Sequence, residues 1–104
     1  MTIDEVRTFV IGIDPKAGHY HSAHEGRNAF TRWQETDFLP YMGDGKHLGA
    51  LRFQIDRFTK AEDDEIADAF EAALEMADDI AFNHLTDYER ETGYIHHIFD
   101  CEAI

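Results

Sequence analysis

Basic residues are scarce in this chain: nine Lys and Arg stand against 22 Asp and Glu, for a net charge of −13. A field of that sign repels nucleic acid and anionic membrane surfaces, so neither is expected as a direct partner, while basic protein surfaces are attracted. Cysteine is limited to Cys101, which excludes an internal disulfide and gives no sign of a secreted, disulfide-stapled scaffold. No apolar run approaches the ~20 residues of a membrane span. The opening Met-Thr-Ile-Asp-Glu-Val-Arg lacks the basic and apolar regions of a signal peptide, so a cytoplasmic protein is expected. Catalytic signatures are missing too. There is no G-x-S-x-G and no dinucleotide fingerprint, and Gly43-Asp44-Gly45 is a turn without the Lys-Ser/Thr ending of a phosphate loop. Cys101 sits between Asp100 and Glu102, whose charges disfavour a reactive thiolate, and reads as a packed strand residue. A non-enzymatic protein without a cofactor is expected.

What is present suffices for a core. Hydrophobic residues make up 43% of the 104 positions, which suits a single folded domain over 1–104 despite the charge. The acidity is concentrated: Ala61 to Glu91 hold 12 acids and one base. Within that region the stretch Thr59–His84 predicts one long helix. Thr59 and Glu62 have capping-box spacing. Ile66, Phe70, Ala73, Leu74, Ala77 and Ala81 form an apolar stripe, and Asp64, Asp68, Glu71, Glu75, Asp78 and Asp79 recur on another face.

The remaining elements are read from shorter patterns. Val6–Ile13, rich in β-branched residues and ending at Asp14-Pro15, predicts a strand with Phe9, Ile11 and Ile13 on one face. Residues 22–39 suit either helix or strand. Ser22 and Glu25 could form a capping box, and helix is preferred, ending near Leu39 before Pro40. Leu48–Phe58 alternates cleanly and predicts a strand. Thr86–Thr92 predicts a short helical turn closed by Gly93, and Tyr94–Cys101 a last strand. The class is α+β: a small sheet of three to four strands, with the acidic helix and a second helix packed on one face, in a ferredoxin-like arrangement.

Three functional readings follow. The first is a small acidic binding or inhibitor protein that occupies a basic, normally nucleic-acid-binding surface of a partner protein through Asp64, Asp68, Glu71, Glu75, Asp78 and Asp79. A carboxylate row at helical pitch imitates the phosphate row such surfaces grip. In size and charge alone the chain resembles the inhibitors that phages use against host nucleases and CRISPR complexes, which implies an anti-CRISPR type of role. The second is a metal-binding domain or metal-dependent enzyme built on His19, His21 and His24, with His96, His97 and Cys101 nearby if the last strand lies beside that loop. Its H-x-H-x-x-H spacing matches no zinc signature, and His96 and His97 would face opposite ways on a strand, so no metal site is expected. The third is a structural or regulatory subunit, a homodimer included, whose acids serve solubility. Trp33, Phe38, Tyr41 and Met42 cluster around Pro40 and are expected in the core.

Overall fold

The computed structural model describes residues 1–36 and 51–103. In chain order the elements are α1 (Ile3–Ile13), β1 (Gly18–His19), β2 (Ala29–Glu35), β3 (Arg52–Thr59), α2 (Glu65–Met76), β4 (Ile80–Glu89) and β5 (Tyr94–Ala103). Among the described residues five strands make one mixed sheet in the order β1-β2-β3-β5-β4. β1 runs parallel to β2, and every other pair is antiparallel. The α+β class matches expectation, and the sheet carries two helices, but the second is Ile3–Ile13 and not the expected 22–39. The sheet has five strands where three to four were expected, and the order helix, three strands, helix, two strands differs from a ferredoxin-like one.

The first element corrects the expected strand at Val6–Ile13, which is helical. Thr2 and Glu5 form a capping box, each side chain accepting from the other's backbone N–H. Val6 and Val10, one turn apart, are fully buried, with Phe9 and Ile13 packed beside them. Ile11, central to the expected strand face, is exposed. β-branched residues lower helix propensity by only tenths of a kcal/mol each, so burial of this stripe prevails.

The preference for helix over residues 22–39 is also corrected. Ser22 does not cap a helix; its hydroxyl accepts from His24 N–H two residues on, forming a turn. Gly26, at φ +85°, reverses the chain into β2. There Thr31 and Trp33 turn toward the helices and Phe30 toward the other face, with Trp33 opposite Ile55 and Phe30 opposite Phe58. The expected helix end at Leu39, the Gly43-Asp44-Gly45 turn, the opening of the expected strand at 48–50, and Phe38, Tyr41 and Met42 lie outside the described residues.

The acidic helix is real but shorter than Thr59–His84. Thr59 closes β3, where its hydroxyl accepts from Ala61 N–H, and Asp64 is the N-cap, accepting from Ala67 N–H at 2.9 Å. The helix stops at Met76, and Asp78-Asp79 turn the chain into β4. Ile80, Phe82 and His84 then alternate with exposed Ala81, Asn83 and Leu85, a period of two that the expectation of continuing helix passed over. Nor do Thr86–Thr92 form a helical turn. β4 runs to Glu89 and residues 90–93 make a hairpin loop, closed by Gly93 at φ +80° with its N–H on Glu89 O.

Both helices cover one sheet face. Val6, Val10, Phe70 and Leu74 descend from them onto Trp33, Phe53, Ile55, Phe99 and Cys101. Phe53 and Phe70 share this core, as expected, and Cys101 is packed in it. On the opposite face Phe30 stacks on Phe58 at 4.6 Å and Tyr94 meets both edge-on, a second small cluster. The sheet edges are unequal. β1 is two residues long, whereas β4 presents ten residues with no strand on its outer side among the described residues. Among the described residues no helix is long and apolar enough to cross a membrane.

Candidate functional site

The acidic row is divided by the fold into internal and external members. Asp64 is turned inward. Besides capping α2 it accepts two hydrogen bonds from Arg57, at 2.8 and 3.1 Å. Arg57 also reaches Thr31 Oγ1 at 3.1 Å and Asp14, the C-cap residue of α1, at 3.5 Å. The Arg57 side chain is 9% exposed, that of Asp64 11%. One buried guanidinium thus ties the end of α1 to the start of α2 across β3. Burial pushes the Asp64 carboxyl up, but the hydrogen bonds from Arg57 and Ala67 N–H outweigh it and hold the group below its ordinary value. Asp64 is a structural carboxylate and leaves the expected docking row.

Glu71 holds an intermediate position. Its Oε1 lies 3.1 Å from His84 Nδ1, and its side chain keeps 43% exposure. His84 Nε2 in turn lies 2.9 Å from His97 Nδ1. Burial, followed by the neighbouring His84, favours the neutral ring and holds His97 below the usual imidazole value, against the opposing pull of Asp64 and Asp68. This chain runs from the flank of α2 through β4 into β5, and fixes the helix over the sheet edge.

Asp68 and Glu75 stand one turn to either side of Glu71 on that flank, both exposed, and Asp78 and Asp79 continue the exposed acids into the turn before β4. None of these four is ion-paired with a basic side chain among the described residues. The adjoining edge strand exposes Tyr88 in phase with His84 on the α2 face, while exposed Leu85 and Asp87 point to the opposite face. An acidic ridge beside a long open strand edge is therefore the most distinctive surface on this side of the molecule.

The histidines of the alternative metal-binding reading do not converge on one site among the described residues. His19 is stacked between Tyr20 and Trp33, with Nε2 2.5 Å from Glu35 Oε1. Tyr20, held at φ 69° while its N–H donates to Trp33 O, hydrogen-bonds the other Glu35 oxygen. Burial pushes Glu35 up, but the hydrogen bonds from Tyr20 and His19 bring it below the usual carboxylate range; the same contact pushes the Tyr20 phenol up. His21 is exposed in the following loop and His24 borders a cleft. His96 and His97 do point to opposite faces: His96 stacks on Phe58 and lies 2.7 Å from Asp56. Among the described residues no three His, Cys, Asp or Glu side chains converge to hold a metal ion. His19, His84 and His96 each face a carboxylate, and among the described residues none hydrogen-bonds a hydroxyl or thiol.

Sequence reasoning missed Arg57, although a lone arginine on the core-facing phase of an apolar strand marks a buried charge that needs a partner. It missed the carboxylate partners of the histidines because these lie 13 to 40 residues away. No family model, curated protein or solved structure matches this chain.

Proposed function

We propose that this chain is a non-enzymatic acidic binding protein that docks the flank of α2 and the neighbouring β4 edge onto a basic surface of a partner, one that normally grips nucleic acid. The observation that carries the reading is the row of exposed carboxylates at Asp68, Glu75, Asp78 and Asp79, with Glu71 half-exposed among them and no basic side chain paired to the first four among the described residues. Like charges at helical spacing are mildly destabilising, by about 0.2–0.5 kcal/mol per pair. Their retention on one flank is consistent with a role in recognition. Complementary charge speeds encounter and fixes orientation, while burial of a few anchors sets the residence time. Tyr88, exposed on the α2 face of the strand edge, is such an anchor. The size and charge remain those of phage inhibitors of host nucleases and CRISPR complexes, and an inhibitor of that kind is the form of the proposal.

The test is a comparison of immobilised wild type with an Asp68→Lys, Glu75→Lys, Asp79→Lys variant, each exposed to lysate of the cells of origin at low and at physiological salt. All three side chains point outward, so the variant keeps its circular dichroism and urea midpoint. Basic nucleic-acid-handling proteins should be retained by wild type, released by salt or added nucleic acid, and lost from the variant. Equal retention of the same proteins by both, at both salt levels, would remove the acidic flank from the mechanism. Leu85 and Tyr88 favour a second reading, a subunit that assembles through the β4 edge; salt-insensitive capture of one stoichiometric apolar partner would select it.

A further inference from the structure

At the opposite end of α2 from Asp78 and Asp79 lies a half-open cleft of about 630 Å³. It forms where the segment after α1, the loop before β2 and the first turn of α2 meet. Its walls are Pro15, Ala29, Phe30 and Ile66, and its polar lining is Asp14, Lys16, His24, Arg27, Asn28 and Arg57. The volume is that of small-molecule sites, which combine an apolar lining with a few convergent polar groups.

The charge at this cleft runs against the rest of the chain. Acids outnumber bases by 22 to nine overall, yet three of the nine Lys and Arg line this one cavity, together with a histidine. Arg57 is satisfied by Asp64, Thr31 and Asp14. Asp14 is likewise committed, to Arg57 and to the backbone N–H of Lys16 at 3.0 Å. Lys16 and Arg27 are exposed, and among the described residues neither has a carboxylate within ion-pairing distance. Two cations thus remain over an apolar wall.

The loop that carries them is braced. Its start packs so tightly that a Cβ on Gly18 would lie 1.9 Å from His21 O. Ser22 is buried and accepts from His24 N–H, Arg27 N–H donates to His24 O, and Arg27 O accepts from Tyr94 Oη at 2.5 Å. Asn28 O accepts from Lys60 N–H at 3.1 Å. A cleft held this way costs little ordering on binding.

We propose that this cleft binds a small organic anion, its apolar body against Pro15, Phe30 and Ile66 and its phosphate or carboxylate group at Lys16, His24 and Arg27. Arg57 stays in its internal pairs and contributes field rather than contact. The site is independent of the acidic flank and shares none of its residues.

The probes are phenyl phosphate, benzoate, inorganic phosphate and phenol, titrated into full-length protein by calorimetry and by amide chemical-shift mapping. Phenyl phosphate or benzoate should bind about tenfold or more tightly than phosphate or phenol, shifting the amides of residues 16, 24, 27 and 28, and the tighter of the two names the head group. The variant Lys16→Glu, Arg27→Glu, both at exposed positions, should lose at least about tenfold, the scale of one charge-assisted hydrogen bond. Arg90→Glu, in the β4–β5 loop, should bind as wild type. Absence of binding by both aromatic anions, or equal affinity in the folded double variant, overturns the proposal. So does inorganic phosphate binding as tightly as phenyl phosphate, since the apolar wall would then contribute nothing.

Discussion

Replacing Arg57 by Met should be among the most damaging single changes in the protein, with a pH signature that identifies the cause. The guanidinium makes three hydrogen bonds at 2.8–3.1 Å and one at 3.5 Å, to groups on β2, at the end of α1 and at the start of α2. Met fills much of the volume, so the loss is electrostatic: two nearly buried carboxylates keep their desolvation cost without the cation. Breaking a buried pair from one side costs about 3–5 kcal/mol, against about 5–15 kcal/mol of total stability for a domain of this kind. In the native protein Asp64 has a depressed pKa. Its contribution is therefore fully present above the unfolded-state value, near pH ~4, and is lost as pH falls through the folded-state value. Without Arg57, burial raises the Asp64 pKa, and the sign reverses: protonation now relieves the site. Urea titrations followed by circular dichroism should give a gap between wild type and variant of about 3–5 kcal/mol at pH 7 that narrows at pH 3. Adding Asp64→Asn, which still caps a helix, should recover part of the loss at pH 7. A cost below about 1 kcal/mol at pH 7, or an equal cost at both pH values, would refute the buried-clamp account.

Two further outcomes follow from packing. Gly18→Ala places a Cβ 1.9 Å from His21 O, a backbone atom that cannot swing aside. The stability cost should be about 1–3 kcal/mol, with amide exchange accelerated first around residues 18–22; a neutral substitution in urea titration would contradict the close approach. Burial, followed by the charge of Asp100, pushes the Cys101 thiol up to about 12, so it should resist a disulfide reagent at pH 8 until the protein unfolds. Native-state labelling at the rate of a free peptide thiol would place Cys101 outside the core.

The chain's own pattern determined a good part of this molecule. Leu51, Phe53 and Ile55 alternating with polar neighbours identify β3, Ile95 to Cys101 identify β5, and Phe70 and Leu74 on one helical stripe identify the body of α2. Most of the apolar residues in those segments fall on one face, with Phe58 and Tyr94 buried on the other, so their period is legible locally. The acidity between Ala61 and Glu91 was equally plain. Tertiary structure decided the rest, because short apolar runs satisfy two periods at once. Val6, Phe9, Val10 and Ile13 make a helical stripe as readily as Phe9, Ile11 and Ile13 make a strand face; the core took the first set and left Ile11 in water. Ile80 to Glu89 continue the composition of a helix, yet pairing along β5 satisfies the backbone groups on one side of this ten-residue strand and turns Phe82 and His84 toward α2. The roles of the carboxylates also came from the fold. Asp64 and Asp68 look alike in the row, but Arg57 lies on β3 beneath the first of them only, so one acid became a buried clamp and the other stayed at the surface.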